Sequence, residues 1–334
     1  MGTFNLYLDL HFNHASDSET LGPLPERITF QMSTYTEEQW ARIDADAAIM
    51  RGKARRRKFL ETVANHSILV AMSAIFIMPL YLIVVISLMT YRQASLRALW
   101  PSPFIWHNYI EVFHAVPFMH WTLNTLFVST LTMIGTVVSS VPPAYVLSRL
   151  QWKGRNGVFI MILATMMLPG QVTMIPVYVI FAKLHWIPGY LPLIVPAFFS
   201  SAFSIFLLRQ FFTTIPDEIS DAARIDGCNE FQLMMRIVIP LAKPAISAIA
   251  LFAFLAAWND FFGPLLYLVE NPNLWTLGIG LTQFESLHHV DRNMLMTASS
   301  LFMMPVIVIF FFSQKVFIEG VTLTGDRKST RLNS

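Results

Sequence analysis

Six runs of about 20 predominantly apolar residues constrain this chain more than any other feature. They fall at 66–90, 122–147, 157–182, 190–210, 244–268 and 296–319. A run of that length crosses the ~30 Å hydrocarbon core of a bilayer as a helix. Composition agrees: 13% of the 334 residues are charged, against roughly 25% in soluble domains, and 54% are hydrophobic. The expected fold class is therefore all-α, a polytopic membrane protein with six transmembrane helices. One segment does not fit that frame. Residues 220–246, SDAARIDGCNEFQLMMRIVIPLAKPAI, read as two short amphipathic helices hinged at Gly227, set between spans apolar enough for lipid.

The net charge of +2 is too small for nucleic acid binding, and no basic stripe with interleaved aromatics occurs. Cys228 is the only cysteine, which excludes intramolecular disulfides and thiolate metal sites. The nine histidines show no HExxH or other ligand spacing, so no metal site and no catalytic residues are assigned. No G-x-x-x-x-G-K-[ST] segment is present, so the chain does not cradle nucleotide phosphates itself. The first apolar run is too long for a signal h-region and has no A-x-A site behind it, so it stays as a span.

Three regions are expected: a polar, acidic extension at 1–50, read as disordered; a membrane domain at 51–325; and a polar tail at 326–334, read as disordered or non-native. Within the extension, Thr36 followed by Glu37 and Glu38 is a fair helix start. Met50, directly before the basic cluster, is an alternative translation start. Lysine and arginine bias sets the orientation. The flank before the first span holds Arg51, Lys53, Arg55, Arg56, Arg57 and Lys58, and the second and fourth loops add Arg149, Lys153, Arg155, Arg224, Arg236 and Lys243. The other face holds Arg92, Arg97, Lys183 and Arg292. That asymmetry puts both termini and the 211–243 hairpin in the cytoplasm. Prolines recur in the spans, and LPGQVTMIP in the third reads either as tolerated helix breakers or as a broken helix lining a pathway.

In the hairpin, Thr214 is placed to cap the first helix, with Pro216 in its first turn and Asp217 and Glu218 at the positive end of the dipole. Ile219, Ala222 and Ala223 share a face. Gly227 stops this helix, because a left-handed position after the cap costs glycine nothing. Asn229 and Gln232 form a capping box for the second helix, whose apolar face is Phe231, Met234, Met235 and Val238. A helix small on one side, acidic at Asp221 and Asp226, and held by a glycine turn suits docking to another chain. The alternative is a hairpin lying on the membrane surface.

The stretch DAARIDGC with RIVIPLAKP downstream resembles the E-A-A-x-x-x-G loop of ATP-binding-cassette (ABC) importer permeases, within the carbohydrate importer group. FLLRQFF, AWNDFFGPLLYL, LPGQVTMIPVY and IEG at 318–320 are also similar to that family, and the resemblance covers roughly residues 55–325. It implies that the hairpin is the coupling helix, seated on a cytoplasmic ATPase subunit through Asp221, Ala222, Ala223, Asp226 and Gly227. Asp221 stands where the motif prefers Glu, and Cys228 replaces a usual alanine. It also implies that ATP and Mg are bound by the partner ATPase subunits and not by this chain. The remaining partners would be a second permease subunit, an extracytoplasmic solute-binding protein, membrane lipid and a sugar substrate, in a bacterial inner membrane.

Polar groups inside spans are candidates for the solute path. Asn259 and Asp260 beside Trp258 suit sugar, which is held by hydrogen-bonding groups against flat aromatic faces. Gln171 follows a break at Pro169 and Gly170. Ser200, Ser201 and Ser204 are weaker candidates, since serines in membrane helices often join helices together. His288 and His289 read as solvated loop residues. An ion-coupled carrier would need paired intramembrane acids or inverted repeats, and neither is evident. A membrane enzyme would need a catalytic array, which is also absent from the sequence.

Overall fold

The computed structural model describes residues 36–96, 100–285 and 291–329, and among these it contains helices and no regular strand. His288, His289, the first 35 residues and the last five lie outside the described residues. The chain divides into two compact units, up to Met78 and from Pro79 onward. Helix α1, Glu37–Ser87, starts where Thr36 and the two glutamates place it. Along its apolar stretch Ile68, Leu69, Val70, Ile75, Phe76 and Ile77 are exposed, so its sides are apolar all round, as a helix in lipid requires.

In the second unit, the loop expected at 91–121 holds two short helices, α2 (Tyr91–Ser95) and α3 (Asn108–Ala115). Buried Asn108 donates from Nδ2 to the carbonyls of Ser87 and Met89, closing that loop against the end of the first span. Helix α4, Phe118–Arg149, is the second span and the axis of the unit. Its 32 residues extend about 48 Å. The third span is a pair, α5 (Arg155–Thr165) and α6 (Gly170–Lys183), bent by 89° at 166–169. LPGQVTMIP holds both a break, before Gly170, and a tolerated proline, Pro176, inside α6. Pro169 cannot donate to a continuing helix and drives the preceding residue away from helical backbone.

The fourth span, Leu191–Phe212, is also interrupted: α7 (Leu191–Ile194), a 3-10 turn (Val195–Phe199), then α8 (Ala202–Phe212). Between them Ser200 adopts φ +76°, a backbone region costly for a side chain. Its partners on α4 hold it there. The Ser200 N–H donates to Ser139 Oγ at 3.0 Å, and its hydroxyl donates to the Ser139 carbonyl at 2.6 Å. That carbonyl is the one Pro143 leaves without a helical donor, so α4 continues through Pro142 and Pro143 unbroken. The serine therefore joins two helices.

Beyond the fourth span lie α9 (Asp217–Ile225) and α10 (Glu230–Leu233). A π turn (Met234–Val238) and α11 (Ile239–Leu241) follow. The chain then bends by 79° into α12 (Lys243–Trp258). The fifth span, expected as one piece over 244–268, breaks at 259–261 before α13 (Phe262–Leu268). A short helix, α14 (Leu277–Gly280), and the long α15 (Arg292–Ser329) complete the order. Among the described residues, four helices are long and apolar enough to span, or up to six if each bent pair is one span.

Helix α4 packs along both α12 and α8. Its C-terminal end is in a core of Val141, Ala144, Tyr145 and Leu147 with Phe212, Ala223, Leu233, Val238 and Ile249. Its N-terminal end is in a second core of Phe118 and Trp121 with Phe254, Trp258 and Leu277. At that end the loop after α13 is bonded to α4: Asn124 Nδ2 donates to the carbonyls of Asn273 and Trp275, and the Leu277 N–H donates to Thr125 Oγ1.

Candidate functional site

The hairpin begins later than the sequence suggests. Thr214 does not cap α9, because its hydroxyl donates to the Phe211 carbonyl and closes the preceding helix. The cap position is Pro216. At the other end the expected glycine stop is present, with Gly227 at φ +85°. Its N–H donates to the Arg224 carbonyl and the Cys228 N–H reaches back to the Ala223 carbonyl, both at 3.0 Å. That pair of bonds is the Schellman arrangement, in which a left-handed residue lets two orphan carbonyls be satisfied. Cys228 packs against the adjacent core, the apolar contact such a turn usually carries. The capping box is also as expected, with Gln232 N–H to Asn229 Oδ1 at 2.8 Å and Asn229 N–H to Gln232 Oε1 at 3.1 Å.

The two alanines do not share a free surface. Ala223 is buried in the core beside α4, while Ala222 is exposed. The outward stripe is instead Ile219, Ala222 and Ile225, with Ile225 86% exposed. Spacing of three residues along the helix was the available signal, and Ile225 was missed. On the second helix Phe231 and Met235 are exposed, and the buried face is Leu233, Met234 and Val238.

Asp221 is exposed on the flank of the stripe and pairs with Arg224 Nη1 at 2.9 Å. Asp226 is exposed at the helix end. Arg224 Nε also donates to Glu230 Oε1 at 3.0 Å, and Tyr145 of α4 donates its hydroxyl to Glu230 Oε2 at 2.6 Å. The Tyr145 hydroxyl and then Arg224 hold the Glu230 carboxyl below its ordinary 4.5, and Glu230 in turn holds Arg224 above its usual range. A carboxyl depressed in the folded state stabilises fully above its unfolded value, and that contribution fades as pH falls through the folded one. Hydrogen-exchange protection of the Gln232 and Leu233 amides should therefore be flat above pH 4.5 and decline below it. In Tyr145→Phe the decline should start at the same pH but be smaller and level off closer to 4.5. A decline of unchanged size in that variant would show that the tyrosine does not tune this carboxylate.

A cavity of about 540 Å³ lies between α4, α7, α8 and α12. Val128, Thr132 and Thr136 line it at four-residue spacing from one face of α4, opposite Ser201, Ser204 and Phe252. Asp260 closes one side, its Oδ1 accepting the Gly263 N–H at 3.1 Å across the break in the fifth span. The proposed trio is not brought together. Asn259 donates from Nδ2 to the Leu255 carbonyl. Trp258 is 1% exposed, stacked between Phe254 and Phe302, and donates from Nε1 to the Phe302 carbonyl. Gln171 is exposed in the first turn of α6 and does not line this cavity. Thr132 and Thr136 were missed because nothing in an apolar run marks which threonines face a space.

With this geometry in view, the relatives are informative. The arabinooligosaccharides transport system permease protein AraQ of Bacillus subtilis is 36% identical over 226 residues, covering 67% of this chain and 80% of AraQ. The sn-glycerol-3-phosphate transport system permease protein UgpE of Yersinia pestis is 29% identical over 266 residues, covering 77% and 94%. A chain of a bacterial ABC transporter involved in import of the acidic polysaccharide alginate shares the fold, with a TM-score of 0.68 at 24% identity over 77% of this chain and 96% of that one. The sequence profile of the binding-protein-dependent transport system inner membrane components matches residues 140–322, from the last turns of α4 through the hairpin and into α15, and the chain belongs to that family.

Proposed function

We propose that this chain is a permease subunit of an ABC importer for a carbohydrate, coupled to cytoplasmic ATPase subunits through the 216–240 hairpin. The observation that carries the reading is the exposed Ile219, Ala222 and Ile225 stripe, flanked by Asp221 and held at a fixed angle by the Gly227 turn. An apolar stripe with an acidic flank is a surface for a protein groove with a basic edge. ATP and Mg are held by the ATPase subunits, which supply the energy. The hairpin side, with both termini, is cytoplasmic by its lysine and arginine excess.

A sugar as solute is supported by two of the relatives' names, those of a carbohydrate and of a polyol phosphate permease. The cavity supports it chemically: its lining offers the hydroxyls of Thr132, Thr136, Ser201 and Ser204 and the Asp260 carboxylate, and no Lys, Arg or His. That donor and acceptor set matches hydroxyl groups. Helix α6 buries none of its residues within the chain and exposes Val172, Ile175 and Val179, an apolar side for a second permease subunit. The extracytoplasmic solute-binding protein would deliver the sugar at the opposite end from the hairpin.

The test is Asp221→Lys in the assembled complex. Charge reversal on an exposed flank leaves the six spans intact, so the second permease should still co-purify while ATPase capture falls on the order of tenfold or more. Wild-type ATPase capture by this variant would remove the hairpin as the docking element.

A further inference from the structure

We propose that Tyr145 and Arg149, one turn apart on the last stretch of α4, are positioning residues that carry movement of the hairpin into that helix and so to the cavity. The proposal rests on the reading of the hairpin as the ATPase dock. Each residue grips a different half of it. Tyr145 holds the second half through Glu230 at 2.6 Å. Arg149 holds the first half and the chain entering it. It donates to the carbonyls of Phe212 (3.4 Å), Ile215 (2.8 Å) and Pro216 (3.2 Å), to Ser220 Oγ (2.5 Å), and pairs with Asp217 Oδ1 at 3.0 Å. The Glu230–Arg224 pair then ties the two halves to each other.

The allocation of these bonds is what argues for a role beyond stability. The Arg149 side chain is 3% exposed, and a guanidinium buried to that degree is a poor source of net stability. All its partners named above lie at the end of the fourth span or in the hairpin, sixty or more residues away. Its carbonyl partners bridge the end of α8, at Phe212, and the entry to α9, at Ile215 and Pro216. Its fixed fork can hold several of them at once, which a lysine cannot. Residues i and i+4 lie one above the other, so both grips are on one side of α4. That helix is continuous and packed along α12 and α8, and nine residues before Tyr145 it reaches Thr136 in the cavity wall. The distance between grip and wall is about 14 Å of unbroken helix. A hairpin displaced by its partner therefore moves the helix that lines the cavity, and does not merely bend a loop.

The experiment uses the full complex with ATPase subunits and solute-binding protein in proteoliposomes. Tyr145→Phe removes one hydroxyl and Arg149→Lys keeps the charge, so both should assemble and retain the ATPase with basal hydrolysis within about twofold of wild type. Hydrolysis stimulated by loaded binding protein, and sugar imported per ATP, should fall on the order of tenfold, the size of one charge-assisted hydrogen bond. Combining Tyr145→Phe with Glu230→Gln should be less damaging than the product of the two single effects, as for residues that act through one bond. Wild-type stimulation in both single variants overturns the proposal, and so does a fully multiplicative double variant. Loss of the ATPase in Tyr145→Phe overturns it too, because the hydroxyl would then maintain the docking surface instead of transmitting from it. The outcomes separate from the docking reading: if Asp221→Lys releases the ATPase while Tyr145→Phe couples normally, only the positioning role is lost.

Discussion

Gly227→Val should insert and keep its second permease, yet lose the ATPase subunits or their sugar-stimulated hydrolysis. At φ +85° a β-branched side chain is strained by about 1–2 kcal/mol or more from backbone alone. No atom lies within 4 Å of where its Cβ would stand, so the neighbours do not add to that cost. The strain is relieved by rotating the backbone back to negative φ, which breaks the Cys228-to-Ala223 and Gly227-to-Arg224 bonds that fix the angle between α9 and α10. Arg149 and Tyr145 still hold the two halves, so the hairpin remains at the membrane with its stripe misdirected. Co-purification of the ATPase and stimulated ATP turnover are the measurements. Both at wild-type levels would mean that the turn angle does not matter to docking. Gly227→Asn is the control: asparagine tolerates left-handed backbone and should retain most of the function.

What the sequence made legible here was local. The left-handed stop at Gly227 and the Asn229–Gln232 capping box depend on residues within five positions of each other, and both are present. The run at 122–147 matches Phe118–Arg149 within a few residues, while the run at 66–90 lies inside a longer helix that begins at Glu37. Errors arose where two elements compete for one residue or where a distant helix decides a face. Thr214 fits a start for α9 and an end for α8 equally well, and the nearer carbonyl of Phe211 takes its hydroxyl. Ala222 and Ala223 lie about 100° apart on a helical projection, and only the position of α4 determines which one is buried. Arg149 was counted for topology alone, because partners sixty to seventy residues away leave no trace in local spacing. The break at 259–261 did have a signal in Asn259 and Asp260, two residue types whose side chains bond the local backbone readily. In an apolar run they pointed to the solute, while Asn259 first serves the helix end behind it and Asp260 the one ahead.

That double service sets the contrast between Trp258→Ala and Asp260→Ala. Trp258 lies between Phe254 at 5.6 Å and Phe302 at 5.7 Å, fully buried, on the core side of α12 and away from the cavity lining. Its truncation should destabilise the protein in detergent by about 3 kcal/mol. That is the low end for a buried aromatic, because lipid removes part of the water-to-core transfer gain. Asp260→Ala loses the cap on the Gly263 N–H, a cost of about 1 kcal/mol, and removes the one carboxylate in the cavity wall. It should assemble with a small change in melting temperature and impair uptake, most at low sugar concentration. Parallel thermal unfolding and uptake across a range of sugar concentrations distinguish the two. If Trp258→Ala melts like wild type and fails only in uptake, the indole faces the solute and not the core. If Asp260→Ala transports normally at every concentration, its carboxylate is a helix cap and the hydroxyls of α4 and α8 bind the sugar without it.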